Sequence, residues 1–122
     1  MKYRFKKQLR SFKHAWNGLR GCIGKEQNLS FHLIVAALTL LAGWLLGISG
    51  TEWMVVMLCI GLVIAAELFN TALERVLDRL APERHPLTGQ AKDIAAAAVL
   101  VCALSAAVVG ILLFTPYIIR LF

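Results

Sequence analysis

The sequence predicts an all-α membrane protein, with three transmembrane helices and an N-terminal amphipathic helix at the membrane interface. Three observations carry this. Hydrophobic residues make up 59% of 122, charged residues only 16%, and the mean hydropathy is +0.71; soluble domains sit nearer half apolar and a quarter charged. Three long apolar runs are separated by short polar tracts. The net charge of +6 is concentrated at one end, where residues 1–30 hold eight Lys or Arg against the single acid Glu26. Beside membrane spans, such a basic end reports cytoplasmic orientation and anionic headgroups rather than nucleic acid. A multidomain soluble enzyme is excluded. So is a disulfide scaffold, because Cys22, Cys59 and Cys102 are odd in number and lie mostly in apolar runs. The whole chain, 1–122, reads as one integral-membrane domain. No cleavable signal is expected: the first long apolar run begins only near Phe31 and exceeds a signal core in length.

The first element spans about residues 3–24. Phe5, Leu9, Phe12, Trp16, Leu19 and Ile23 recur at helical spacing, within about 80° of one another on a wheel. Lys6, Arg10, Lys13 and Arg20 flank that stripe. The pattern suits a helix lying in the interface, and equally one packed on the protein's own spans. Gly18, Gly21 and Gly24 mark its transition to a turn. Span one, about 31–48, carries no formal charge and covers about 27 Å, close to the hydrocarbon thickness. Ser49-Gly50-Thr51-Glu52 reads as a short turn. Span two starts near Trp53, and its helical pattern continues past the membrane edge to about Leu80, stopping before Ala81-Pro82. A polar loop, PERHPLTGQ, precedes span three, about 91–119, whose last turns Pro116 loosens. Three spans put the basic N-terminus and the Arg75, Arg79, Arg84, Lys92 region on the cytoplasmic side, and the C-terminus outside.

The chemistry concentrates in ELFNTALERVLD, residues 67–78. Glu67, Asn70, Glu74 and Asp78 are spaced 3, 4 and 4 and share one face within about 80°. Leu73, Val76, Leu77 and Leu80 fill the other. Glu67 follows fourteen uncharged residues and lies about 21 Å along the helix from Trp53, just inside the hydrocarbon. An ionisable group there costs several kcal/mol without partners and is a functional candidate by default. It is a candidate general base; the alternative is a structural glutamate bonded between helices. Glu74 and Asp78 lie one and two turns further, near the headgroups. Carboxylates there can hold Mg²⁺, which favours oxygen ligands and shares them with phosphate, or can simply pair with Arg75 and Arg79. Glu26, at the same depth before span one, could share that cation. His85, Gly89, Lys92 and Asp93 sit where a Gly-containing turn enters a helix, a plausible phosphate cradle. No Walker A motif and no kinase-type GxGxxG is present.

Four segments resemble the small integral-membrane lipid kinases of bacteria, the prokaryotic diacylglycerol kinase and undecaprenol kinase family. They are Trp16-Asn17-Gly18-Leu19-Arg20, Glu26-Gln27-Asn28, ELFNTALERVLDRL and HPLTGQAKDIAAAAVL, the last two being the most specific. The resemblance covers nearly the whole chain. It implies an ATP- and Mg²⁺-dependent enzyme of the bacterial inner (plasma) membrane that transfers the γ-phosphate to a lipid hydroxyl. It also implies a homotrimer with active sites shared between neighbouring subunits. By motif position Glu67 matches the general base, and Glu26 and Glu74 match the acids that hold the metal with the ATP phosphates. Asn70 matches an active-site polar residue. Asp78, Glu83, His85, Gly89, Lys92 and Asp93 match positions around the nucleotide, and Arg10 a region near substrate. Leu29-Ser30 stand where the family often has a basic residue. The tail LLFTPYIIRLF and the Glu26-Gln27-Asn28 tract resemble the undecaprenol kinase branch, so that lipid alcohol is favoured over diacylglycerol. Nucleic acid is not an expected partner. The rival classes are a transport protein using Glu67 as a proton or ion carrier, and a helix-packing subunit without chemistry. Neither accounts for the aligned Asn70, Glu74 and Asp78.

Overall fold

The computed structural model describes residues 1–122 as four helices and no strands: α1 (Lys2–Cys22), α2 (Gln27–Leu46), α3 (Gly50–Leu80) and α4 (Pro86–Arg120). α2, α3 and α4 are each long and apolar enough to cross a membrane. α3 packs against both α2 and α4, so the face of α3 is what the other two helices organise.

The helix ends follow from local chemistry. α1 stops where Gly24 takes φ +79, a backbone shape open to glycine because it lacks a Cβ. Glu26 takes the N-cap position of α2 without a side-chain capping bond, and the helix includes residues 27–30, four residues ahead of the predicted start of the span at Phe31. Gly47, at φ +67, closes α2. Ser49-Gly50-Thr51-Glu52 is not a free turn but the start of α3. The Ser49 Oγ accepts from the Glu52 amide at 3.2 Å, and the Ser49 amide donates to Glu52 Oε1 at 3.0 Å, a reciprocal capping box. The predicted loop PERHPLTGQ is half helical. His85 caps α4, its Nδ1 accepting from the Leu87 amide at 3.1 Å, and Pro86 occupies the first helical position, where a missing N–H costs nothing. Gly89 therefore lies in the first turn of α4 rather than in a loop. Pro116 does not end α4, which runs on to Arg120.

Few side chains are buried inside one chain. Ten of 122 are, and Leu29 alone is completely enclosed. Large apolar residues on all three spans stay exposed, including Leu38, Leu58, Leu62, Leu104 and Leu112. Lipid or neighbouring subunits must cover them, because no water-soluble monomer exposes continuous apolar surface on this scale. The chain is accordingly a multi-pass membrane protein. Residues 1–18 of α1 are all exposed. Phe5, Leu9, Phe12 and Trp16 of the stripe are thus exposed within one chain, while Leu19 is half-buried and Cys22 buried at the end of α1.

Two contacts hold the ends of the bundle. At one, Trp53 stacks its ring edge over Gly43, where an added Cβ would lie 2.9 Å from Cη2. At that same end the Tyr117 hydroxyl donates to Glu52 Oε1, with the Arg120 guanidinium 5.6 Å from the Tyr117 ring centre. At the other end α2, α3 and α4 bring their polar residues together.

Candidate functional site

Glu67, Asn70 and Thr71 are buried at 3%, 5% and 3% exposure, the only buried residues of the chain with polar or charged side chains. All three lie on consecutive turns of α3. A helix repeats its face every three to four residues, so the same face continues to Glu74. Asn70 Nδ2 donates to Glu74 Oε1 at 3.2 Å. That bond leaves Asn70 Oδ1 buried without a partner, the one such side-chain atom in the structure. A buried amide oxygen without a donor costs about 1–3 kcal/mol. An amide oxygen is a hard donor of the kind Mg²⁺ takes as a ligand.

Glu26 approaches from the start of α2. Its Oε1 accepts from Arg75 Nη2 at 2.9 Å. Arg75 thus turns away from Glu74, its neighbour in sequence, and ties α3 to α2. Glu74 is left with Asn70, not with a basic residue. The acids on this face are consequently not neutralised by their own helix, and Glu26 keeps its second oxygen for another ligand. No cluster of three acidic, histidine or cysteine side chains closes a cation site within one chain.

One turn beyond Glu74, Asp78 accepts a hydrogen bond from Lys92 Nζ of α4. This pair spans the Ala81–His85 connection and forms the wall of a cleft of about 480 Å³. Asp78, Glu83, Arg84, His85, Gly89 and Lys92 line it. The cleft sets the cationic Arg84 and Lys92 beside the acids Asp78 and Glu83 at the start of α4, whose first amides are already engaged: Leu87 donates to His85 Nδ1, and Thr88 and Gly89 donate to the His85 carbonyl. Five residues expected around a nucleotide are therefore together: Asp78, Glu83, His85, Gly89 and Lys92. Asp93 is exposed and lies outside the cleft. Glu26, Asn70 and Glu74 sit toward the membrane from it. Arg10, exposed on α1, joins neither group within one chain.

The sequence reading passed over two residues. Thr71 is buried on the turn after Glu67. His32, on α2, brings Nε2 to 3.8 Å from Glu67 Oε2. Its signal was present: a titratable ring one residue inside an uncharged span is itself a reason to look for a partner. His32 also lines an apolar cavity of about 240 Å³ that runs between the spans, past Val35 and Thr39 of α2, Val56 and Val63 of α3, and Ala103 and Gly110 of α4.

Comparison with known proteins identifies the family. A family profile described as "Prokaryotic diacylglycerol kinase" matches residues 13–114, which leaves Arg10 before the matched region. The undecaprenol kinase of Bacillus subtilis is 40% identical over 88% of this chain and 87% of its own length. A diacylglycerol kinase of Synechocystis is 36% identical over 91% of this chain and 64% of its own. The diacylglycerol kinase of Escherichia coli K12 is 28% identical over 85% of each. A profile match over most of the chain and a relative at 40% identity along nearly its full length place the protein in the prokaryotic diacylglycerol kinase family, a family of lipid kinases.

Proposed function

We propose that this protein transfers the γ-phosphate of ATP, with Mg²⁺, to the hydroxyl of a membrane lipid alcohol, undecaprenol in preference to diacylglycerol. The observation that carries the proposal is the polar face of α3: Glu67, Asn70 and Thr71 buried at the end of an apolar span, continuing through Glu74 to the Asp78–Lys92 cleft. A lipid alcohol brings its hydroxyl to the headgroup boundary, and Glu67 lies just inside that boundary. A nucleotide comes from water, and the cleft opens there. One helix face thus connects the two substrates along the line that the phosphoryl group must travel.

The roles follow from position. The Glu67 carboxylate takes the proton of the lipid hydroxyl as its oxygen attacks, the work of a general base. Glu74 and Glu26 would hold Mg²⁺, whose bound charge offsets that of the phosphates. Asn70 Nδ2 fixes the Glu74 carboxylate. Lys92, Arg84 and His85 face the nucleotide from the cleft, with Asp78 aligning Lys92 and with Glu83 and Gly89 lining the same cleft; Asp93 would approach the nucleotide from just outside it. Phosphoryl transfer asks mainly for positioning and charge compensation, and these residues supply both. The favoured lipid rests on the similarity to an undecaprenol kinase at 40% identity and on the Glu26-Gln27-Asn28 and Phe/Pro-containing C-terminal segments.

The same reading has the protein working as a homotrimer in the bacterial plasma membrane, its N-terminus cytoplasmic and its C-terminus outside. The basic stretch 1–30 and Arg75, Arg79, Arg84 and Lys92 lie at one end of the spans, as the charge rule for cytoplasmic segments requires. α1 would lie in the interface, its apolar stripe in lipid and Arg10 near the lipid substrate. The test is label transfer from γ-labelled ATP in mixed micelles, with undecaprenol and diacylglycerol offered separately and in competition. Mg²⁺-dependent label in undecaprenol first supports the proposal, and label confined to diacylglycerol reverses the substrate assignment. Label in neither, from folded protein, removes the kinase reading.

A further inference from the structure

His32 stands in a position that nothing above has used. Glu67 is nearly sealed, with 4% of its side chain exposed. The His32 imidazole, itself only 16% exposed, is the one group within 4 Å of that carboxylate able to carry positive charge. The two come from different helices, so their approach reflects how α2 packs on α3 and not local spacing. The ring also meets Phe31 edge-on, at 5.7 Å between centres and 69° between planes. It also closes the Glu67 end of the apolar cavity between the spans. Neither Asn70 nor Thr71 hydrogen-bonds Glu67; Asn70 is committed to Glu74.

A buried carboxylate has two oxygens and needs only one to accept a proton. The other must be held, or the group samples orientations that face no substrate. We propose that His32 is the positioning residue of the base: its Nε2–H holds Glu67 Oε2, leaving Oε1 directed at the lipid hydroxyl. The separation of 3.8 Å exceeds a direct hydrogen bond, whose heavy atoms sit about 2.7–3.2 Å apart. A small rotation of either side chain closes it when substrate fills the space beside them, as apo catalytic contacts commonly do. An imidazole N–H suits this place better than Lys or Arg, because it holds the carboxylate without burying a permanent charge. The inference rests on the lipid kinase reading, in which Glu67 is the base.

The test compares wild type, Glu67→Gln, His32→Ala and His32→Gln as folded oligomers in mixed micelles. The amide N–H of glutamine replaces the donor but cannot titrate. His32→Ala is expected to lower kcat by about 10–100-fold, the range for losing a group that orients a reacting one, with KM for ATP unchanged. His32→Gln is expected to recover most of that loss. A second readout needs no turnover. In protein labelled with ¹⁵N-histidine, the Nε2 resonance absent from His32→Gln belongs to His32, and it should move on Glu67→Gln while those of His14 and His85 do not. If His32→Ala keeps wild-type kcat, if glutamine fails to rescue a folded variant, or if the resonance ignores Glu67, His32 is not the positioning residue. These outcomes are separate from failure of the underlying reading, which would show as a wild type without lipid phosphorylation or a Glu67→Gln variant with full turnover.

Discussion

At the scale of single residues, Glu74 is held by a neutral amide, whereas Glu26 and Asp78 are each paired with a cation. Glu74 accepts from Asn70 while Arg75, the next residue, serves Glu26 on another helix. If Glu74 helps hold Mg²⁺ against the ATP phosphates, Glu74→Ala should raise the Mg²⁺ concentration for half-maximal turnover by about tenfold or more, the usual cost of losing a ligand or its support. A Mg²⁺ titration of initial rates measures this, and an unchanged curve would take Glu74 out of the metal site. Spacing along α3 made Glu67, Asn70, Glu74 and Asp78 legible in the sequence, because helical periodicity is a local property. The partners were not legible. Arg75, one of the two cations considered as alternative partners of Glu74 and Asp78, crosses to Glu26. Lys92 finds Asp78 from α4, and His32 finds Glu67 from α2. Each of these depends on how two helices approach, which no single helix encodes.

At the scale of elements, the connections do more than join spans. The capping box at Ser49 and Glu52 starts α3 in a fixed register, and the Tyr117 hydroxyl uses the same Glu52 carboxylate to anchor the end of α4. One turn of α3 therefore sets both its own origin and the position of α4 beside it. α2 joins them through Trp53 on Gly43, which has no room for a Cβ beside Cη2 and Ile48 Cδ1. Gly43→Val should destabilise the bundle by about 1–3 kcal/mol through overpacking, lowering the midpoint of thermal unfolding followed by tryptophan fluorescence in detergent. An unaltered midpoint would mean that the ring moves aside at no cost. The existence, order and apolar character of the spans were readable from hydropathy. Their ends were not, since caps operate through side chains the apolar pattern does not weigh. α2 begins at Gln27, ahead of Phe31, and His85 with Pro86 turns half of a predicted loop into the first turns of α4. That shift matters for the site, because it places Gly89 and Lys92 on a rigid helix.

At the scale of the whole molecule, one chain leaves its business unfinished. It buries ten residues of 122. It leaves the apolar side of α3, with Leu73, Val76 and Leu80, uncovered. It closes no cation site by itself. Neighbouring copies would cover that face and complete the oxygen donors around the nucleotide, and small residues along α4 (Ala95 to Ala98, Ala103, Ala106, Ala107 and Gly110) permit the close helix approach that association in membranes requires. Native mass spectrometry from micelles should show three chains, with no stable monomer at concentrations where turnover is seen. An active monomer would contradict a shared site.

The central claim is that Glu67 takes the proton of a lipid hydroxyl as phosphate is transferred to it. The most direct measurement is the initial rate of γ-phosphate transfer from ATP to the lipid alcohol, wild type against Glu67→Gln, at saturating Mg²⁺ and with oligomeric state and thermal midpoint matched. Glutamine keeps the size and hydrogen-bonding shape but cannot accept the proton. The account predicts a loss of kcat of about 10²–10⁴-fold, the range for a general base, with ATP binding intact. Turnover within a factor of about three of wild type, well short of that range, would show that the proton goes elsewhere, and the role assigned to the buried end of α3 would have to be abandoned.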